Sequence, residues 1–252
     1  MIKTIATRTA LLGSNLQNIS RFATAVGIEK TLPTKKPDFL IRLGYKLGLI
    51  NLRYNPANLD MSGKKMLAIC AEYPDVGEWS ETLNLPDTFH TWYNITLLHI
   101  WLLFIRLRSE GSEGHLLREI VVKVLWDDLN SRMRAFKIMR KRHVQILHSK
   151  VLMSGSMLAY DEGILRNSDS ALAAAIWRNF FYAKDDVTAQ ELAIVVDYVR
   201  KNIQHLMDQT QEDLIGRGEL SFLPLGINAP FDPNMARQRI KYSTTWPDWS
   251  HQ

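Results

Sequence analysis

The residues that could carry chemistry are few and lie far apart along the chain. His99 lies within a long apolar run, where it could relay a proton or bind a metal if polar partners converged on it. Asp128 continues an apolar row of helical spacing, formed by Leu117, Val121 and Val124, and so falls on a core-facing side. A buried carboxylate needs a cation or several donors. We therefore expect His99 to be a hydrogen-bonded core histidine and Asp128 to pair with an arginine or with a helix N-terminus.

A second polar motif is Tyr160-Asp161-Glu162-Gly163, at the predicted end of a helix. Its two carboxylates could form an acid–base or metal pair, but adjacent residues on a turn rarely converge on one point. We therefore favour capping and hydrogen bonding, with Gly163 as a left-handed helix cap.

The recognised sequence motifs of catalysis are absent. The chain has no glycine-rich nucleotide loop, no H-E-x-x-H and no G-x-S-x-G. Its one cysteine, Cys70, cannot form an internal disulfide or a cysteine-rich metal site, and it suits a reducing compartment. We predict no catalytic residue, no metal site and no cofactor.

The strongest charge feature is a basic stretch without any acidic residue between Asp128 and Asp161. Its cations are Arg132, Arg134, Lys137, Arg140, Lys141, Arg142 and Lys150. Such a stretch can contact the phosphates of ribosomal RNA or of an anionic membrane surface. A solvated basic helix face is the alternative interpretation.

Apolar periodicity predicts an all-α protein with a single helical domain of about seven helices. The predicted helices run from about Asp38 to Ile50, Met61 to Tyr73, Asp87 to Ser109 with Asp87 as the N-cap, Glu113 to Phe136, Arg140 to Tyr160, from a cap at Asn167, Ser168 or Asp169 to Tyr182, and onward from a capping box at Thr188. Residues 74–86 are predicted as a loop, and residues 219–223 as a short extended piece. The charge-free run from Thr88 to Ile105 contains several polar residues, so a buried core helix is favoured over a membrane span.

The two ends of the chain differ from the middle in composition. Residues 1–28 contain Lys3, Arg8 and Arg21 but no acidic residue, and they are rich in Ser, Thr, Ala and Leu. That composition predicts a cleavable mitochondrial transit peptide, whose removal would lower the net charge from +5 to +2. We assign residues 29–36 to a linker, 37–225 to the helical domain and 226–252 to an extended, proline-containing tail.

Six short stretches, read in order, form a more specific pattern over roughly half of the chain. They are LPDTFHTWY from Leu85, LHIW from Leu98, WDD from Trp126, YDEGI from Tyr160, LAAAIWRNFF from Leu172 and YVRK from Tyr198. Together they resemble the ubiquinol–cytochrome c chaperone family, the assembly factors of mitochondrial complex III. One departure is Phe222, which stands where the family pattern has a tryptophan.

The resemblance implies a non-enzymatic assembly factor on the matrix side of the mitochondrial inner membrane, with which it associates peripherally. Such a protein forms a heteromer with a small partner protein rather than a homo-oligomer. The pair is expected near the mitochondrial ribosome exit, where it stabilises newly synthesised cytochrome b before haem insertion and subunit addition.

On this interpretation, aromatic residues of two helices form a groove that faces the partner or client: Trp92, Tyr93, Trp101, Trp177, Phe180 and Phe181. A second set holds the helices in register: His99, Asp128, Tyr160, Asp161, Glu162 and Gly163. The basic stretch faces the ribosome or lipid head groups. The alternatives are an enzyme that acts on a quinone or lipid in a helical apolar pocket around His99 and Asp128, and a structural subunit of a respiratory complex.

Overall fold

Helices account for all the regular secondary structure in the computed structural model, which describes residues 52–135, 142–166 and 168–225. They are α1 (Pro56–Glu72), α2 (Val76–Thr82), α3 (Phe89–Leu107), α4 (Gly111–Ala135), α5 (Arg142–Leu165), α6 (Asp169–Asn179) and α7 (Ala189–Asp208). A 3-10 turn at Arg108–Glu110 joins α3 to α4, and a π-helical turn follows α7 at Glu212–Arg217. Within these ranges there is no strand, so the predicted all-α class is confirmed.

Several sequence predictions lie outside the described residues. They are the leader 1–28, the linker 29–36, the first predicted helix, the tail 226–252, and Lys137, Arg140, Lys141 and the side chain of Arg142.

The helix starts follow local side-chain chemistry. The predicted capping box is confirmed, because Thr188 accepts from the Glu191 backbone while the Glu191 carboxylate accepts from the Thr188 backbone. The prediction of Asp87 as the cap of α3 is wrong by one residue, since the Thr88 hydroxyl accepts from the Thr91 N–H. The loop predicted for residues 74–86 is also wrong, because Asp75 caps the short helix α2 there.

Helix α3 is the centre of the domain. Fifteen of its 19 residues are buried, and it contacts α1, α2, α4 and α7. This agrees with the predicted buried core helix. None of the described helices combines the length and the apolar character that crossing a membrane requires.

His99 lies at the middle of α3, fully buried among aromatic rings of other elements. Its Nδ1 donates to the Ile95 carbonyl over 2.7 Å, and its Nε2 accepts from the Tyr198 hydroxyl over 2.6 Å. The Phe222 ring packs edge-on at 4.7 Å between centroids, and the Trp79 ring at 5.6 Å. Burial lowers the pKa of His99 to about 4, so the ring stays neutral at physiological pH.

The last described residues, 218–225, run along α7 without regular secondary structure. Side chains satisfy their backbone groups instead. Gln209 donates to the Ser221 carbonyl (2.7 Å) and accepts from its N–H (3.3 Å), and the buried Asn202 accepts from the Leu223 N–H (2.8 Å). The Tyr73 hydroxyl donates to the carbonyl of Phe222 over 2.6 Å, so this segment closes the core over α1, α3 and α7.

Gly163 does not cap a helix, and that prediction is wrong. It lies inside α5, which continues to Leu165, and its backbone is not left-handed. A Cβ at this position would meet the Leu172 Cα at 2.9 Å. Glycine is required here because the α5 and α6 backbones approach each other closely.

Two glycines of α5 provide a matched test of this packing. We expect Gly163→Ala to lower the free energy of unfolding by about 1–3 kcal/mol, because the added methyl group has to displace the Leu172 backbone. Gly155 has open space around its Cβ position, so Gly155→Ala should raise stability by up to ~1 kcal/mol through helix propensity. Urea unfolding followed by circular dichroism measures both. Equal effects of the two substitutions would contradict the close approach.

The buried His99 predicts a pH dependence of stability. The pKa of His99 is about 4 in the folded chain and near 6.5 in the unfolded chain. Below pH 6.5, His99 therefore binds a proton in the unfolded state but not in the folded state. The free energy of unfolding should therefore fall by about 3 kcal/mol between roughly pH 6.5 and pH 4 on account of this group.

Urea titrations at several pH values check this with His99→Gln, which should flatten the pH profile in that window. The control is Ala193→Gln, an exposed position on α7 without a titratable side chain, which should leave the slope as in the parent chain. A His99→Gln profile that runs parallel to that of the parent would show that His99 is not the group responsible.

Candidate interaction site

The six aromatic residues predicted to form a groove do not form one open surface, and the structure corrects that prediction. Tyr93, Trp101, Phe180 and Phe181 are each at most 2% exposed, and Trp92 and Trp177 are half-buried. The polar atoms of Tyr93 and Trp101 are satisfied inside the domain: the Tyr93 hydroxyl donates to the Ser149 carbonyl (2.7 Å) and the Trp101 indole to Asp161 (2.8 Å). Both rings therefore fasten α3 to α5.

Trp92 belongs to a polar cluster that joins α1, α3 and α4. Its indole N–H donates to the Ala71 carbonyl over 3.1 Å, and the Arg132 guanidinium lies over its ring at 4.6 Å. Arg132 also pairs with Asp128 over 2.8 Å and with Glu72. Burial raises the pKa of Asp128, and the neighbouring Arg132 opposes that rise. The cluster provides the arginine partner expected for Asp128.

The acidic motif of α5 is divided between core and solvent. The Tyr160 ring is buried against Trp101 at 5.1 Å, and the Asp161 carboxylate accepts from the Trp101 indole and pairs with Arg108. Glu162 is exposed and points away from this contact. The two carboxylates do not converge, and Asp161 ties α5 to the end of α3.

The basic stretch is only partly free. Arg132 is engaged with two carboxylates and a tryptophan ring, whereas Arg134 is exposed on the last turn of α4. Lys150 is exposed and lies 5.2 Å from the Trp126 ring centroid. Contact of this stretch with a polyanion remains a prediction that rests on Arg134, Lys150 and residues outside the described ranges.

A small pocket opens beside α3, between the loop that precedes it and the loop that follows α6. Its volume is about 120 Å³, close to that of an engineered cavity that holds benzene. It is lined by Leu85, Pro86, Thr88, His90, Thr91, Asn94, Phe180, Phe181, Tyr182 and Lys184. The size and the mostly apolar lining suit one aromatic or branched aliphatic side chain.

The walls of the pocket are held in an unusual backbone conformation. Tyr182 and Ala183 have φ of 56° and 51°, and Asn84 in the facing loop has φ of 47°. Each such residue costs on the order of 1–2 kcal/mol. Surrounding contacts hold the first loop in place: the Trp177 indole donates to the Lys184 carbonyl over 2.9 Å, and the Ala183 N–H donates to the Trp177 carbonyl over 2.8 Å.

Asn94 links the pocket to the core. It donates to the Phe180 carbonyl over 3.3 Å and accepts from the Tyr182 hydroxyl over 2.8 Å, and the Tyr182 ring stacks on His90 at 4.6 Å. Burial raises the pKa of Tyr182 to about 12 and lowers the pKa of His90. Both rings are therefore uncharged at neutral pH, and Lys184 provides the charge at the rim.

The pocket residues can bind an apolar group, and His99 and Asp128 lie outside the pocket lining. His99 and Asp128 share no partner, since His99 bonds to Ile95 and Tyr198 and Asp128 to Arg132. Within the described ranges, no three His, Cys, Asp or Glu side chains lie close enough to hold a metal ion. Sequence reasoning found Phe180 and Phe181 but missed Tyr182, because a left-handed non-glycine residue leaves no pattern in the sequence. It missed Asn94 because its partners, Phe180 and Tyr182, lie 86 and 88 residues away along the chain.

Comparison with known proteins places this region in a family. The model of the ubiquinol-cytochrome C chaperone family matches residues 81–221, a range that contains the pocket. The chain is similar to ubiquinol-cytochrome c reductase complex assembly factor 1 of Homo sapiens, with 36% identity over 178 residues that cover 69% of this chain and 58% of the human protein. The Xenopus laevis protein of the corresponding name is 34% identical to this chain, and the match covers 86% of that protein.

Two further proteins are similar to this chain. The Saccharomyces cerevisiae protein named CBP3, mitochondrial, is 29% identical over 153 residues, which cover 58% of this chain and 44% of that protein. The crystal structure of the Cbp3 homologue from Brucella abortus has a TM-score of 0.52 at 20% identity, over 65% of this chain and 92% of that one. This likeness concerns the fold. The chain spans 58% and 59% of the lengths of the human and mouse relatives.

The left-handed loop beside the pocket can be tested with two alanines. Ala183→Gly should raise the free energy of unfolding by about 0.5–1 kcal/mol, since glycine adopts positive φ without the steric cost. The matched control is Ala193→Gly on an exposed position of α7, which should lower stability by ~1 kcal/mol through helix propensity. Thermal and urea unfolding measure both, and a destabilised Ala183→Gly chain would contradict the strained conformation.

Proposed function

Because the chain belongs to the ubiquinol-cytochrome c chaperone family, we propose that it is an assembly factor of the mitochondrial ubiquinol–cytochrome c reductase complex, complex III. The observation that carries this proposal is the family match over residues 81–221, together with relatives whose names state that role. The proposed place of action is the mitochondrion, on the matrix side of the inner membrane. It acts there as a peripheral protein.

In its finer form, the proposal is that the protein forms a heteromer with a small partner protein near the mitochondrial ribosome exit. There it holds newly synthesised cytochrome b until haem and further subunits are added. The physical reason for such a protein is that cytochrome b exposes apolar surface before assembly, and covering that surface contributes about 25 cal/mol per Å². A moderate interface keeps the contact reversible.

The pocket beside α3 is our candidate for one anchor of that contact. It presents apolar walls of the size of one side chain, and a rim with a single lysine, on a loop that hydrogen bonds from Trp177 and to Asn94 hold in place. A preformed pocket binds a side chain at a lower ordering cost. This supports a binding protein rather than an enzyme, and the separate partners of His99 and Asp128 give no support to the quinone or lipid enzyme.

The experiment is removal of the gene followed by complementation. Cells without the protein should accumulate little cytochrome b and little assembled complex III, while other respiratory complexes assemble, and the full chain should restore both. Normal cytochrome b and complex III in cells that lack the protein would refute the assembly role. Immunoblots after native electrophoresis provide the measurement.

The same cells test the pocket with His90→Glu, which places a carboxylate among the apolar lining without altering a core side chain. An unpaired charge buried at an apolar contact costs on the order of 2 kcal/mol or more, so client affinity should fall about tenfold or more. We expect reduced complex III with this variant and full assembly with Ala193→Glu, an equally exposed position on α7. Full rescue by His90→Glu would exclude the pocket while leaving the assembly role in place.

A further inference from the structure

Helix α5 is apolar on two opposite sides. Its inner side is buried against α4 and α6 and carries Ser149, Met153, Ser156, Tyr160 and Gly163, at alternating spacings of four and three. At about 100° per residue, the diametrically opposite side carries Val144, Leu147, Val151, Leu158 and Leu165. We call this second row the outer stripe.

The outer stripe has no cover among the described residues. Leu165 is 81% exposed, Leu147 62%, Val144 47% and Leu158 42%, and Val151 is half-buried. These are four of the large apolar side chains with the greatest exposure in the described part of the chain. Scattered exposed leucines need no explanation, but five apolar residues in a row along about 30 Å of one helix mark a contact surface, although Ser154, Gly155 and Glu162 interrupt the row.

The spacing of the stripe indicates what covers it. Val144, Val151, Leu158 and Leu165 are each seven residues apart, and Leu147 takes the intermediate position of the first heptad. Their directions fall within about 60° around the helix axis. So narrow a row is the seam for one crossing helix, whereas a helix that lies in a lipid interface presents a broad apolar face, often with aromatic residues.

Charge around the stripe indicates the composition of that helix. Lys150 is exposed on one flank of its N-terminal half, which carries no carboxylate, because the chain has no acidic residue between Asp128 and Asp161. The C-terminal half carries the exposed Glu162, in the same direction around the helix axis as Val144. Flanking positions select partners by opposite charge. A second copy of the chain would bring Lys150 against its counterpart in a parallel pair and toward Glu162 in an antiparallel pair, and sedimentation distinguishes such a dimer.

We propose that the outer stripe of α5 binds one amphipathic helix of another protein, with apolar residues at heptad spacing and acidic residues opposite Lys150 and the carboxylate-free N-terminal half of the stripe. The centre of the stripe suits close contact, since Ser154 is small and Gly155 has open space at its Cβ position. The inference stands on the pattern of α5 alone, and it holds whichever complex the protein assembles.

The test uses the full-length chain and a four-heptad synthetic peptide with leucine at both core positions and glutamate at both flanking positions. Fluorescence anisotropy should show binding, and a peptide of the same design with lysine on the flanks should bind about tenfold more weakly or not at all. Leu147→Glu and Leu158→Glu should each weaken binding of the acidic peptide about tenfold or more. Met61→Glu is the control, because Met61 is an exposed apolar residue of α1 (57%) away from the stripe.

Three results would overturn the proposal. The first is equal binding of the two peptides, or no binding of either by a chain whose circular dichroism shows it folded. The second is flotation with phosphatidylglycerol vesicles that Leu147→Glu abolishes, which would assign the stripe to lipid. The third is a concentration-dependent dimer in sedimentation that Leu158→Glu dissolves, which would assign it to a second copy of the chain.

Discussion

The structure depends on how a nearly fully buried helix satisfies its own polar groups. Helix α3 carries Asn94, His99, Trp101 and Arg106 into an apolar interior, where an unpaired polar atom costs free energy comparable to a lost hydrogen bond. Their partners lie on α5, on α7 and in the loop after α6. Asn94 bonds to the Phe180 carbonyl, His99 to Tyr198, Trp101 to Asp161 and Arg106 to the Leu206 carbonyl. These bonds set the position of α5, α7 and the pocket loop around one axis.

The bonds also decide which parts of the domain are open to other proteins. Since the aromatic rings of α3 are used to fasten α5, they cannot serve a partner at the same time. Surface for binding remains where the packing ends, at the pocket beside the Tyr182 loop and along the side of α5 that faces away from α4 and α6. The two surfaces differ in kind, since one takes a single side chain and the other the length of a helix.

Sequence reasoning found the elements whose signals are local. The capping box of α7, the helical class and the buried nature of α3 all follow from spacing and side-chain type. It missed α2, because seven residues are too few to show a helical repeat and because the cap of the helix, Asp75, directly follows Pro74. It placed Trp101 and Tyr93 on a surface because α3 is apolar on all sides, and such a helix gives no sign of which neighbour covers which ring. Gly163 was predicted as a cap for the same reason. Glycine is required there because Leu172 of another helix lies close to its backbone, and the sequence does not show that contact.

The partners of α3 are also distant along the chain, and this bears on the order in which the protein can fold. The bond from His99 reaches across 99 residues, that from Arg106 across 100, and that from Tyr73 to the closing segment across 149. A chain that emerges or is threaded from its N-terminus exposes α3 well before α7 and residues 218–225 arrive. Helix α3, the most apolar of the described helices, is therefore exposed without its packing partners until the last part of the domain is present. A protein of this design needs protection from aggregation until its synthesis or import is almost complete.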